Sequence, residues 1–221
     1  MVKFADAIDL FCNNIKTILI LFILNFMISI PVALIIGLLS IIPALNIIIS
    51  IIYTMIILNV SVMTFLECYK DTEVSCSMIL NYYSQSLSNL GNLLKACIMP
   101  MLKMYLFIFV ISIVYFMFLF GSIMALNSNS NSAVFFGLIF ILTLLMYIIL
   151  IVWLSLKYSI EMNQKLACVY YNDDDFKFYE EYKNKTPISR YFWFLVPIVG
   201  SFLVPLAITK EAKSYYEGDI L

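Results

Sequence analysis

The sequence predicts an all-α, polytopic membrane protein with four full spans, a fifth kinked or re-entrant segment, and amphipathic helices at the membrane interface. Three observations predict this fold class. Charged residues make up 12% of the 221 residues, about half of the roughly 25% found in soluble domains. Residues 17–66 and 104–156 contain no charged side chain. Small polar residues interrupt both stretches near their centres. The length suits a single membrane domain over residues 1–221.

The first uncharged stretch, 17–66, is too long for one crossing. As a single helix it would extend about 75 Å, whereas the hydrocarbon core of a bilayer is about 30 Å thick. Gly37, Pro43 and Asn46 supply turn chemistry near its centre. The sequence therefore predicts a helical hairpin with crossings at about 17–37 and 45–66.

The second uncharged stretch, 104–156, repeats this pattern. Its centre reads LNSNSNSA at residues 126–133, and small polar residues of this kind belong in water, not in hydrocarbon. We expect a second helical hairpin with crossings at about 104–126 and 134–156. The last crossing continues in water as a helix that begins the cytoplasmic helix and connector, 157–190.

Two segments outside the hairpins have amphipathic patterns, residues 3–14 and 75–101. Each leads directly into a predicted span, which favours a position flat at the membrane interface. Packing against a partner helix is the alternative for both. In the longer segment the apolar stripe is Tyr83, Leu87, Leu90, Leu94, Cys97 and Met101, and the polar stripe is Asn81, Gln85, Ser88, Asn92 and Lys95.

The basic residues predict the orientation. Eleven of the thirteen fall on one side of the four spans, and the positive-inside rule makes that side cytoplasmic. We therefore expect both termini in the cytoplasm and a multi-pass protein of the cell (inner) membrane. The eleven are Lys3, Lys16, Lys70, Lys95, Lys103, Lys157, Lys165, Lys177, Lys183, Lys185 and Arg190.

The segment 191–209 is apolar enough for lipid but carries Pro197, Gly200 and Pro205. If it spans, Lys210 and Lys213 lie outside, on a face otherwise free of charge. If it dips and returns, with its turn at Pro197 and Gly200, all the basic residues are inside. The sequence favours the re-entrant form, and a kinked fifth span is the alternative. The tail after it is expected to be helical to about Tyr216.

The last third of the chain has a recognisable order: a long helix ending in YSIEMNQKL, a polar connector, then FLVPIVGSFLVPLAIT. It resembles the C-terminal region of the CysZ sulfate-permease and etoposide-induced-protein family, with Pro197, Gly200, Ser201, Pro205 and Ala207 matching that family's closing segment. The resemblance implies two long spanning helices, helical hairpins that penetrate the bilayer only partly, and transport of an anion. A broad class of bacterial membrane proteins, in which surface helices lead into apolar hairpins, shows the same order.

Motifs for catalysis and cofactor binding are missing from the sequence. It contains no histidine, no Walker loop, no zinc signature and no nucleophile elbow. We therefore expect neither an enzyme nor a bound cofactor or metal, and the net charge of −1 argues against nucleic-acid partners. The expected partners are the lipid bilayer and a second copy or another membrane protein.

Two functions remain open from the sequence. The first is a channel or permease for a small solute or anion, and the second is a non-transporting structural or assembly subunit of a larger membrane complex. Transport predicts a polar path, whereas the structural role predicts that the same residues are used in packing between helices. The candidate residues are Asn25, Asn59, Pro197, Gly200, Ser201 and Pro205.

Overall fold

A computed structural model describes residues 9, 11–39, 42–69, 74–128, 133–183 and 199–218. Helices account for 92% of these residues and no strand occurs among them, so the predicted all-α class is confirmed. In chain order the helices are α1 (Ile15–Leu38), α2 (Pro43–Cys68), α3 (Cys76–Ser88), α4 (Leu90–Ser128), α5 (Ala133–Tyr170), α6 (Lys177–Tyr182) and α7 (Val199–Glu217).

Four of these helices are long and apolar enough to cross a membrane. The segments that meet this criterion are Ile15–Leu38, Leu45–Cys68, Leu90–Gly121 and Leu138–Tyr170. In the most apolar windows of the last two, 0% and 6% of the residues are buried within the chain. So large an exposed apolar surface requires lipid around it, and the protein is membrane-embedded.

The first hairpin has the expected form. Helix α1 ends at Leu38, and the amide of Ile42 donates a hydrogen bond to the Leu39 carbonyl at 2.9 Å. Pro43 is the first residue of α2, a position where its missing N–H costs nothing and its fixed φ suits the helix. The uncharged stretch 17–66 thus turns once, between residues 38 and 43.

Contacts between Cα atoms divide the chain into two compact units, Met1–Ile98 with Ile160–Leu221, and Met99–Ser159. In the first unit α2 is the central helix, because α1, α3 and α7 all pack against it. The packed side chains form one apolar cluster that draws on each of these helices. Its buried members are Ile18, Leu21, Ile56, Val60, Phe65, Val74, Ile79, Tyr82 and Leu206.

Helix α3 runs back along α2, antiparallel to it. Ser86, ten residues after the start of α3, accepts a hydrogen bond from Asn59, ten residues before Tyr69. Residues at equal distances from the connector between the two helices are therefore neighbours. The face that α3 buries consists of Ile79, Tyr82 and Ser86, one residue out of step with the predicted apolar stripe. Helix α3 therefore packs against α1 and α2, and its position at the membrane interface stays a prediction.

The segment 75–101 was predicted to form one helix, but in the structure it is divided between two helices. Helix α3 ends at Ser88, and α4 begins at Leu90 and continues without interruption through Pro100 and Lys103. The break falls at Asn89, whose side-chain oxygen accepts a hydrogen bond from Asn92 Nδ2 at 2.9 Å. The apolar periodicity of the segment gives no signal for a break of a single residue.

The two ends of the chain test the predictions only in part. In the segment 3–14, residues 3–8 and 10 lie outside the described residues, and residues 11–13 are helical. In the segment 191–209, residues 191–198 lie outside them. Gly200 is in the first turn of α7 and not at a turn between two helices, and α7 runs through Pro205 to Glu217. The tail is helical to about Tyr216, as expected.

The second unit is held together by aromatic contacts between α4 and α5. The rings of Tyr115 and Tyr147 stack with centroids 4.4 Å apart, and Ser112 Oγ lies 3.0 Å from Tyr147 Oη. Beside them is an apolar groove of about 220 Å³, which residues such as Ile111, Phe118 and Leu150 line. In lipid such packing and hydrogen bonding replace the hydrophobic effect as the force between helices.

The connector after α5 is fastened at α6. Asp173 Oδ2 accepts hydrogen bonds from the backbone amides of Lys177 and Phe178 at 2.8 and 3.4 Å, and from Tyr216. The Phe178 side chain is fully buried, with its ring against those of Tyr182, Tyr215 and Tyr216. This connector therefore has an aromatic core of its own.

Phe178→Ala should lower stability sharply, because truncating a buried phenylalanine to alanine typically costs about 3–5 kcal/mol. The measurement is the thermal unfolding midpoint of the purified protein in detergent. Phe109→Ala is the matched control, since Phe109 is 63% exposed on α4. Equal shifts for the two variants would contradict the packing of the connector.

Candidate solute cavity

The two predicted asparagines each bond to α3. Tyr83 donates a hydrogen bond to Asn25 Oδ1 on α1. Asn59 Nδ2 on α2 donates to Ser86 Oγ at 2.8 Å and contacts Met63 Sδ at 3.4 Å. The two pairs fix α3 to α1 and to α2, so both asparagines contribute to packing.

The hydroxyls within the spans bond mainly to their own helix. Serine and threonine in a helix commonly donate to the carbonyl three or four residues earlier, and this satisfies them without water. These bonds are Ser29 to Phe26, Thr54 to Ser50, Ser61 to Ile57, Thr64 to Val60, and Thr143 to Ile139 and Phe140.

Asn59 has a second role, because it lines a cavity of about 240 Å³ in the first unit. We call this the amide cavity, since four of its side chains are carboxamides. It lies where the α3–α4 break and the end of α5 meet the middle of α2. Its lining residues are Asn59, Met63, Gln85, Asn89, Val169, Tyr170 and Asn172.

The amide cavity extends from exposed residues to a buried one. Gln85, Asn89 and Asn172 are exposed, whereas Asn59 is only 5% exposed. Tyr170 donates a hydrogen bond to the Glu67 carboxylate, which brings a negative charge behind one wall. The arrangement can hold water or a small polar molecule against uncharged hydrogen-bonding groups.

The other predicted site residues do not join this cavity. Pro205 is buried within α7 and is not among the lining residues. Gly200 and Ser201 lie in the first two turns of α7, and Pro197 lies outside the described residues. Of the described residues among these six, Asn59 is the one that lines the amide cavity, and the solute path through the others stays a prediction.

Helix α7 is tied to the ends of α2 and α5. Tyr69 donates to the Leu206 carbonyl at 3.0 Å, and Lys213 Nζ donates to the Tyr69 carbonyl at 2.8 Å. Tyr171 donates to Glu217 at 2.8 Å. We call these five residues the C-terminal contact cluster. They place residues 206–217 beside the ends of α2 and α5.

The phenols near this cluster are held in their neutral form. Burial raises the pKa of Tyr69 and of Tyr171 above the ordinary value of 10.0, and the Glu217 carboxylate raises that of Tyr171 further. Burial, followed by the Glu161 carboxylate, raises the pKa of Tyr179 to about 12. These hydroxyls therefore remain hydrogen-bond donors through the neutral pH range.

The sequence analysis did not predict most of the residues that line the cavity. Gln85 belongs to the predicted polar stripe, which was interpreted as facing water, and Asn89, Tyr170 and Asn172 carried no prediction of a site. The Asn89 break is the signal that could have found it, because ligand sites in membrane proteins often lie where a helix is interrupted.

Metal binding finds no support in the part of the chain that the structure describes, where no group of three or more cysteine, aspartate or glutamate side chains could hold an ion.

In comparisons with known proteins, no family model, curated protein or solved structure matches the chain. The resemblance to the CysZ sulfate-permease and etoposide-induced-protein family stays a prediction.

The pairing of Asn25 with Tyr83 can be measured by a double-mutant cycle with Asn25→Ala and Tyr83→Phe. We expect a coupling free energy near 0.6 kcal/mol, and below about 1.7 kcal/mol, the range for hydrogen bonds between helices in membranes. Unfolding in mixed micelles measures it. As a control, Asn25→Ala with Tyr105→Phe should be additive, because Tyr105 is 45% exposed on α4. Additive effects in the Asn25–Tyr83 cycle would contradict the contact.

Proposed function

We propose that this protein is a non-enzymatic, multi-pass permease or channel that admits a small solute through the amide cavity. The observation that carries the proposal is the position of Asn59. This residue is buried in the middle of a helix that is apolar enough to cross a membrane, and it lines a cavity whose other carboxamides are exposed. A polar cavity that reaches a mid-span residue has the form expected of a solute entry site.

The helix break at Asn89 supports the same proposal. Transporters commonly bind solutes where interrupted helices end beside continuous ones. Here α3 runs back along α2, and the helix is interrupted at Asn89, one of the cavity's lining residues. Irregular backbone at that position is favourable only where protein or water surrounds it.

We propose further that the C-terminus lies on the same side as the connectors 67–75 and 171–176. The support is the C-terminal contact cluster, since Lys213 contacts Tyr69 and Glu217 contacts Tyr171. Tyr69 and Tyr171 follow the second and fourth spans, so both belong to one side of an even-numbered bundle. The positive-inside rule makes that side the cytoplasm, and the membrane the cell (inner) membrane.

Gly218→Cys tests this topology in a background where Cys12 and Cys76, both exposed, are replaced by serine. In bacterial spheroplasts, a membrane-impermeant maleimide should label Cys at 218 only after the membrane is permeabilised. Ile42→Cys, exposed in the α1–α2 turn, is the matched control and should be labelled directly. Labelling at 218 in intact spheroplasts would show that the segment 191–209 makes a fifth crossing.

Permeation can be tested in proteoliposomes by light scattering after osmotic shock, with glycerol, urea, sodium sulfate and potassium chloride as solutes. At least one solute should enter faster than into protein-free vesicles. Asn59→Leu should slow that entry by about tenfold, because it removes a hydrogen bond worth about 1–1.5 kcal/mol.

Asn25→Ala is the control for the permeation test, because Asn25 is polar, lies in a span and is not among the residues that line the cavity. It should leave the rate of entry unchanged in vesicles with equal amounts of folded protein. Rates equal to those of protein-free vesicles for all four solutes would rule out the transport role.

The second candidate is a structural subunit of a membrane complex, and one observation favours it. Both predicted asparagines hydrogen-bond to α3, Asn25 from α1 and Asn59 from α2, as the packing alternative predicts. In this case a second copy or another membrane protein would cover part of the exposed apolar surface of α4 and α5. Absence of permeation together with a stable oligomer in native membranes would support this role.

A further inference from the structure

We infer that the amide cavity binds a small uncharged molecule that both donates and accepts hydrogen bonds, such as a primary amide or a urea, in preference to an anion. The inference names the class of solute for the proposed transport role, and its biological meaning rests on that role. Binding itself can be measured without transport. Three features of the cavity carry the inference: the orientation of the Asn59 carboxamide, the charge of the walls, and the volume.

The orientation of Asn59 follows from its neighbour. Ser86 has one hydroxyl proton and donates it to the Tyr82 carbonyl at 2.7 Å. Ser86 Oγ must then accept from Asn59, which assigns the nitrogen of that carboxamide to Ser86. The Asn59 oxygen receives no hydrogen bond among the described residues, so the deep end of the cavity offers an acceptor.

An acceptor at the deep end selects for a ligand with a donor. Sulfate and other fully ionised oxyanions carry only acceptor oxygens, which would face the Asn59 oxygen unfavourably. A primary amide or a urea can donate an N–H to it and satisfy both groups. This contact therefore favours a ligand with an N–H donor over one that carries only acceptors.

The exposed carboxamides complete the match. Gln85 and Asn172 make no side-chain hydrogen bond to other described residues, so each offers both a donor and an acceptor. The Asn89 oxygen is used by Asn92, which leaves its nitrogen as a donor. A ligand carbonyl can therefore be bound by these donors while its N–H groups point to Asn59.

The charge of the walls favours a neutral ligand over an ion. None of the seven lining residues carries a formal charge. An ion of either sign therefore finds no charged partner among the lining side chains, and a neutral ligand needs none.

The volume of the cavity suits a ligand of a few heavy atoms. Pockets for drug-sized molecules are commonly about 300–1,000 Å³, and this cavity is about 240 Å³. Urea and acetamide fit within it together with water. These two molecules are therefore the probes with which the inference is tested.

The experiment is saturation-transfer NMR on the full-length protein in nanodiscs, with urea and acetamide as probes and sodium sulfate and guanidinium chloride as competitors. We expect saturable binding of urea and acetamide that excess sulfate does not displace. Asn59→Leu should weaken this binding at least tenfold. Gln85→Ala should weaken it severalfold, whereas the matched control Asn81→Ala, an exposed carboxamide on α3 outside the cavity, should leave it unchanged.

The outcomes separate this inference from the transport proposal. Binding of amides without permeation sustains the inference and removes the transport role. Permeation of sulfate or guanidinium that Asn59→Leu abolishes, with no amide binding, overturns the inference and sustains transport. If Asn59→Leu does not fold, as judged by its thermal midpoint, the comparison of Gln85→Ala with Asn81→Ala decides, and equal binding by those two variants overturns the inference.

Discussion

The structure depends on one constraint, that hydrocarbon provides no hydrogen-bond partner for a polar group. A polar atom in a span is therefore costly unless the chain itself, or water in a cavity, satisfies it. Serine and threonine in the spans meet this requirement locally, through carbonyls of their own helix. Asparagine does so less readily, and Asn25 and Asn59 find partners on a neighbouring helix. The same constraint that permits long apolar helices thus determines which helices contact each other.

Helix α2 is the element through which these contacts are organised. It packs against α1, α3 and α7, and the side chains that it buries include both apolar and polar groups. In lipid, apolar surface alone gives little preference for one helix neighbour over another. The hydrogen bonds from Asn59 and Tyr69 supply that preference, and they fix the positions of α3 and α7 along α2.

The amide cavity arises from a conflict between these elements. Helix α3 is short and ends at Ser88, and α4 begins at Leu90. The break at Asn89 lies beside the middle of α2 and the end of α5, where polar residues from these segments line the cavity. One feature therefore explains both the packing role of Asn59 and its place at a cavity. The packing role of Asn59 and its proposed binding role are therefore compatible in the same residue.

The sequence by itself determined the class of the protein and the positions of its spans. The length of each uncharged apolar stretch can be compared directly with the thickness of a bilayer. The hairpins at 17–66 and 104–156, and the helix beyond 156, were therefore predictable. Only the tertiary structure decided which surface α3 buries, where the chain breaks at Asn89, and that Gln85 and Tyr170 meet Asn59. Those outcomes depend on contacts between residues far apart in the chain, such as 59 with 86 or 69 with 206, and a periodic pattern within one segment carries no information about its partner.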